Sequence, residues 1–173
     1  KSYVFKILTA GDGGVGKTTL LHRYIDGKFI SDTKMTLGVE ILTKNLNLSE
    51  ENVTIMLQLW DFGGQKQFRY MLSNYALGSH AAIVMFDLTR FSTIKDIDHW
   101  IEICTKDNPD IPLILIGGKA DLEDQISVEE ETALKMKKKH GFIDYVKTSS
   151  KTGKNVDDAF ITLGKKKKKK WNE

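Results

Sequence analysis

The chain contains one cysteine and two prolines, and it has no long apolar run. Cys104 alone makes an internal disulfide impossible, which leans towards a reducing compartment. Pro109 and Pro112 stand close together, so no Pro-rich linker divides the chain. No apolar stretch approaches the ~20 residues of a membrane-spanning helix. The opening KSYVFKILTAG is too short and too interrupted for a signal peptide. The four histidines, His22, His80, His99 and His140, lack metal-ligand spacing. No internal repeat is found. Net positive charge is also confined to one place. The net charge is +3, but Lys165 to Lys170 are six consecutive lysines, and without them the remainder stands at −3. A nucleic-acid-binding domain spreads its basic residues over one face, so that class is set aside.

The whole chain has 173 residues with 40% apolar and 28% charged content, which fits one soluble domain able to bury its own core. Apolar strand-like runs alternate with helix-like segments. Val4 to Ala10 reads as a strand and Gly16 to Asp26 as a helix. Val53, Ile55, Leu57 and Leu59 alternate along a second strand, and GVEILTKNLNL before it, joined through SEEN, predicts a hairpin. AAIVMF and PLILIGG are short and almost wholly apolar, as strands covered on both faces should be. Ile94, Ile97, Ile101 and Cys104 fall at helical spacing, with Cys104 expected in packing. Ser127 with Glu130 predicts a capping box for the next helix, which ends in KKKHG. Val156, Ala159, Phe160 and Leu163 predict a last helix behind Asn155 as N-cap. Such alternation predicts an α/β sandwich around a mostly parallel sheet, with ligands at the carboxyl ends of its strands.

Gly11 to Thr18, GDGGVGKT, fits G-x-x-x-x-G-K-[ST] between a strand and a helix, the context that this motif requires. Glycines let backbone N–H groups turn inward around phosphate oxygens, and the helix N-terminus adds its positive end. Lys17 would reach the β- and γ-phosphates, and the Thr18 hydroxyl would ligate Mg²⁺. The loop alone says nucleoside triphosphate and no more. Three further stretches narrow it. LWDFGGQKQF places Asp61 at a strand end, followed by Gly63, Gly64 and Gln65. GGKADL ends an apolar strand with Lys119 and Asp121. TSSKTG, Thr148 to Gly153, follows the last strand.

These stretches, in this order, resemble the Ras superfamily of small GTPases, most closely its Rab and Ran branches. Thr36 stands where the family keeps its switch I threonine, TLGVE resembles the Rab and Ran effector segment, and SNYALGSHAAIVMFDLT follows the Rab pattern. The resemblance implies a three-layer P-loop NTPase fold with a mostly parallel six-stranded sheet, one antiparallel hairpin strand and about five helices. It implies a GTPase domain over 1–164, a basic tail over 165–173, and GTP/GDP with Mg²⁺ as ligands. Gly13, Gly14, Val15, Gly16, Lys17, Thr18 and Thr19 would cradle the phosphates. Thr18 and Thr36 would ligate Mg²⁺ with Asp61 behind them. Gly64 would sense the γ-phosphate and Gln65 would position the attacking water, so Gln65, Lys17 and Thr36 carry catalysis. Phe29 would pack on guanine, Lys119 would lay its stem over the base, and Asp121 would read its N1–H and N2 amino group. Ser149, Ser150 and Lys151 complete the base loop, the last two offering N–H groups near O6. Effector, exchange and activating proteins would bind through residues 30–45 and 61–76. The chain would be a cytoplasmic monomer; Lys165–Lys170 read either as the solvated end of the last helix, the commoner meaning of such a run, or as a contact to an anionic membrane, and no terminal Cys or CaaX motif is present.

Three departures stand against the family pattern. Gly118 replaces the asparagine of Asn-Lys-x-Asp, which predicts weaker nucleotide binding and faster exchange, with guanine still preferred through Asp121. DFGG replaces Asp-Thr-Ala-Gly, so Gly63 is expected to loosen the second switch, and Phe62 is either core or an effector contact. Ile41 stands where an aromatic is usual, beside Trp60 and Tyr70; Trp60 is expected in the core. None of Arg23, Arg69 and Arg90 occupies an obvious finger position, so hydrolysis is expected to be slow. The alternative reading is a nucleotide-binding scaffold with little hydrolysis.

Overall fold

The computed structural model describes residues 2–31 and 34–171; the side chains of Glu51 and of residues 167–171 lie outside what it describes. Among the described residues six strands form one sheet: β1 (Ser2–Ala10), β2 (Val39–Leu48), β3 (Val53–Phe62), β4 (Ala81–Asp87), β5 (Leu113–Gly118) and β6 (Asp144–Lys147). Their order is β2-β3-β1-β4-β5-β6. Only the β2–β3 hairpin is antiparallel. The helices are α1 (Lys17–Asp26), α2 (Arg69–Ala76), α3 (Phe91–Lys95), α4 (Ile97–Thr105), α5 (Glu130–His140) and α6 (Val156–Trp171). Asp96 alone separates α3 from α4, and the expected helix around Ile94 to Cys104 is this broken pair.

The alternation in the strands decides which face meets which helices. Val53, Ile55, Leu57 and Leu59 of β3 join Ile83 of β4 and Ile114 and Ile116 of β5 on one face. There they pack on Leu20, Leu21 and Tyr24 of α1 and on Ala159, Phe160 and Leu163 of α6. Ala82, Val84, Phe86, Leu113 and Leu115 point the other way, onto Leu72 of α2, Trp100 and Cys104 of α4 and Ala133 of α5. Burial pushes the Cys104 thiol up to about 12, as expected of a packed, unreactive cysteine. Phe62 is 1% exposed and stacks towards Trp60 and Tyr75, so it is core. Trp60 is half-buried instead, with the Lys6 ammonium 4.2 Å over its ring.

One expected cap is not made. The α5 N-cap is Glu129, with no side-chain cap bond. Ser127 lies two residues before it, and its N–H donates to the Leu88 carbonyl 2.9 Å away, which closes the loop after β4. Asn155 does precede α6; its φ is +60°, its carbonyl accepts the Ala159 N–H at 3.3 Å, and its side-chain amide donates to the Lys147 carbonyl at 2.8 Å, which ties the helix to β6. α6 runs without a break through the expected boundary at 164/165. The side chains of Lys167 to Lys170 lie outside the described residues, so the expected membrane contact of that run is open.

Candidate functional site

The glycine-rich segment leaves the carboxyl end of β1, where Gly14 and Gly16 take φ of +75° and +101°. A side chain strains such backbone, so the sequence spends glycines there. Gly16 is also the N-cap of α1 and has no side chain to bond the first turn, which leaves those N–H groups aimed at whatever the loop encloses. Lys17 is 6% exposed, and its ammonium donates to the carbonyls of Gly11 (2.7 Å) and Asp12 (2.9 Å). Burial lowers its pKa to about 8 against the opposing pull of Asp61 and Asp12. A cavity of about 620 Å³ opens over this loop, within the size range of ligand pockets.

At one end of the cavity three oxygens converge. The Thr18 hydroxyl lies 2.5 Å from Asp61 Oδ2 and 2.7 Å from the Thr36 hydroxyl, which itself lies 3.3 Å from Asp61 Oδ2. Asp61 is fully buried and its Oδ1 has no partner among the described residues. Burial raises its pKa, while bonds from Thr18 and Thr36 and the charge of Lys17 oppose that rise. An oxygen-only donor set with an unsatisfied carboxylate oxygen fits Mg²⁺. No cluster of three or more His, Cys, Asp or Glu with metal-ligand geometry occurs among the described residues. The site therefore suits a hard ion held by hydroxyls and water rather than a protein cage. Gln65 also lines the cavity, and both atoms of its amide are buried without a partner.

Gly63 and Gly64 approach this end closely. A Cβ on Gly64 would stand 2.3 Å from the Gly13 nitrogen, and one on Gly63 would stand 2.6 Å from the Thr36 carbonyl oxygen. Gly64, whose three nearest neighbours are all backbone atoms, thus serves close backbone approach.

At the other end Phe29, Lys119, Asp121, Ser150 and Lys151 line the cavity. Ser149 does not. It is buried, and its hydroxyl donates to Asp121 Oδ1 at 2.8 Å while accepting the Thr152 N–H at 3.1 Å. Ser149 orients the acid rather than meeting a ligand. Asp61 likewise stands behind the cavity wall. Gly13, Gly14, Val15, Thr19, Thr36 and Gly64 line it as well.

Sequence reasoning missed two residues. Asp87, at the end of β4, is fully buried. Its Oδ2 lies 2.7 Å from the Lys119 ammonium and 3.2 Å from Arg90 Nε, and its Oδ1 accepts from the Thr89 N–H and hydroxyl. Burial would raise the Asp87 carboxyl, but the bonds from Lys119 and Thr89 outweigh it and hold the pKa below the usual range. Lys119 then reaches the Gly14 carbonyl (3.2 Å) and Arg90 the Gly13 carbonyl (3.1 Å). The signal available was an acid ending an apolar strand, the same signal that singled out Asp61. The second is Met85, which lines the cavity floor and is 1% exposed. Arg69, the first residue of α2, turns towards Asp12 and lies over the Trp100 ring, 4.7 Å from its centroid. No arginine lines the cavity.

Comparison with known proteins agrees with this geometry. The Ras family model matches residues 6–169. The Ras-related protein Rab-19 of Xenopus laevis is 34% identical over 164 residues, 94% of this chain and 76% of that protein. The human Rab-19 protein is 35% identical over 164 residues, with 94% and 75% covered. The Ras-related protein RABA4b of Arabidopsis thaliana is 38% identical over 162 residues, covering 93% of this chain and 71% of the relative.

Proposed function

The chain belongs to the Ras family as a Rab-like small GTPase, and from that premise we propose that it is a Mg²⁺-dependent switch that recruits partners while GTP-loaded. The observation that carries this reading is the convergence of Thr18, Thr36, Asp61 and Gln65 at the Lys17 end of one cavity.

The reaction is GTP + water → GDP + phosphate. Its transition state is loose, so catalysis is positioning and charge stabilisation. The Lys17 ammonium uses two of its three protons on the loop carbonyls, which aims the third at the β- and γ-phosphates. The loop and α1 N–H groups hold the remaining phosphate oxygens. Thr18 and Thr36 would hold Mg²⁺ with Asp61 behind them, and the ion bound there would supply neutralisation of phosphate charge. The Gln65 amide, with neither atom committed elsewhere, orients the attacking water, and the Gly64 N–H meets the γ-phosphate. Asp121, fixed by Ser149, accepts from guanine N1–H and N2. Lys119 lies over the base, Phe29 packs on it, and the Ser150 and Lys151 N–H groups face O6.

Arg90 is committed to Asp87 and Gly13, and Arg69 faces Asp12. Intrinsic hydrolysis is therefore slow, and an arginine from an activating protein adds ~10³–10⁵-fold. Loss of the γ-phosphate releases Thr36 and Gly64, and with them both loops. Partners read residues 30–45 and 61–76, where Met35, Leu37, Ile41 and Tyr70 are exposed; Asp32 and Thr33 of the first segment lie outside the described residues. The domain spans 1–164. The lysine run adds attraction to anionic membranes of ~1 kcal/mol per residue near the surface, giving a cytoplasmic monomer at the membrane periphery.

Denaturing the purified protein and separating the released nucleotide by ion exchange tests the reading. GDP at near one per chain is expected. An empty site or a mixture of bases overturns it.

A further inference from the structure

Gly118 closes β5 where the family's base-reading asparagine stands, and no hydrogen-bonding side chain replaces it there. The surrounding space is nevertheless filled. A Cβ on Gly118 would lie 2.4 Å from the Met85 methyl, 3.4 Å from the Val15 carbonyl oxygen and 3.6 Å from the Phe86 carbonyl oxygen. The same methyl lies 3.6 Å from where a Gly16 Cβ would be. Met85 also meets the loop through its backbone, since a Cβ on Gly11 would fall 2.2 Å from the Met85 carbonyl oxygen. One β4 residue therefore touches the first and last glycines of the phosphate loop and the end of β5. Its side chain is 1% exposed and lines the cavity.

We propose that Met85 takes the place of the absent side chain at 118, tying the base-reading strand to the phosphate loop by packing and so setting how long the nucleotide stays bound. The two side chains compete for one volume. A thioether end is flexible and can move aside, so a larger residue at 118 is compatible with folding. The displaced methyl then leaves Gly16, and the loop loses its support. Restoring asparagine alone therefore fails to slow nucleotide release, in contrast to the simple expectation from the motif. Truncating Met85 to alanine at the same time makes room for the asparagine to bridge towards the Val15 carbonyl.

This rests on the cavity being a guanine-nucleotide site, and the test separates the two. The full chain and its M85A, G118N and M85A/G118N variants are loaded with a fluorescent GDP analogue and chased with excess GDP. Release from M85A is expected to be roughly tenfold faster than from the parent chain, the order of effect of losing a buried contact. In the G118N background the same M85A substitution is expected to slow release. A merely structural role predicts faster release from M85A in both backgrounds, by the same factor, and that outcome overturns the proposal. Melting temperatures of the four nucleotide-free proteins read the shared volume without ligand. Non-additive changes support it and additive changes overturn it. Failure of the parent chain to bind the analogue overturns both the role in residence time and the guanine reading itself, while additive melting with normal binding overturns the shared volume alone.

Discussion

Asp87 is fully buried and holds two cations against the phosphate loop. Its carboxyl pKa is below the ordinary value, so the contribution is complete at neutral pH and is lost as pH falls through the folded value. Asp87→Asn keeps the shape and removes the charge. At pH 7 it is expected to lower stability by about 1–3 kcal/mol, the range for a bond to a charged group, and to speed nucleotide release. Chemical denaturation across pH checks the sign. The gap between Asp87→Asn and the parent should narrow as pH falls below the ordinary carboxyl value of ~4, where the unfolded chain protonates first, and close once the lowered folded value is passed. A gap that widens on acidification would contradict the clamp. Asp87 and Asp61 show what sequence carries at this scale. Each is an acid at the end of an apolar strand, and only Asp61 has glycines and a glutamine after it to declare a role. The partners of Asp87 come from 2, 3 and 32 positions away, and chain order alone does not bring them together.

At the scale of elements, five strands were legible, β3 from its alternation and β4 and β5 as continuous apolar runs, because a strand buried on one face keeps a period of two and one buried on both faces does not; β6, only four residues long and half-buried, has no such run and was placed only as the strand before TSSKTG. The α5 cap was less legible: Ser127 is the right residue type near the right place, but the chain turns into the helix two residues later, at Glu129, while Ser127 is held to the Leu88 carbonyl through its backbone N–H. The pairing of α1 with α6 was not legible either. It depends on Tyr24 and Phe160, stacked with centroids 3.7 Å apart. Phe160 is fully buried. Phe160→Ala is expected to cost about 3–5 kcal/mol, seen as a melting temperature lower by roughly 10 °C. A loss of under ~1 kcal/mol would mean that α6 is not integral to that core.

For the whole molecule, the sheet separates two cores, and the cavity sits at the carboxyl edge where the chain crosses from one to the other. The loop faces elements from both sides, α1 through Lys17 and α4 through Trp100, whose indole N–H donates to Asp12 Oδ1 at 2.8 Å. A ligand there stabilises the entire fold by linkage. GDP at a hundredfold excess over its Kd, with Mg²⁺, should add about 2.7 kcal/mol, or roughly 5–10 °C in melting temperature. Chelation of the metal should remove most of that shift. A melting temperature indifferent to both would place the nucleotide elsewhere.

Gly64 has a consequence for heredity. Every amino acid other than glycine carries a Cβ, and the three nearest neighbours at this position are backbone atoms, 2.3 to 2.7 Å from where that carbon would stand. Backbone cannot step aside as the end of a side chain can. A missense change in this codon, whatever base it alters, therefore forces the two loops apart. In a saturation library selected for function this column should retain glycine alone, and descendants of this gene should drift freely around one letter that does not change.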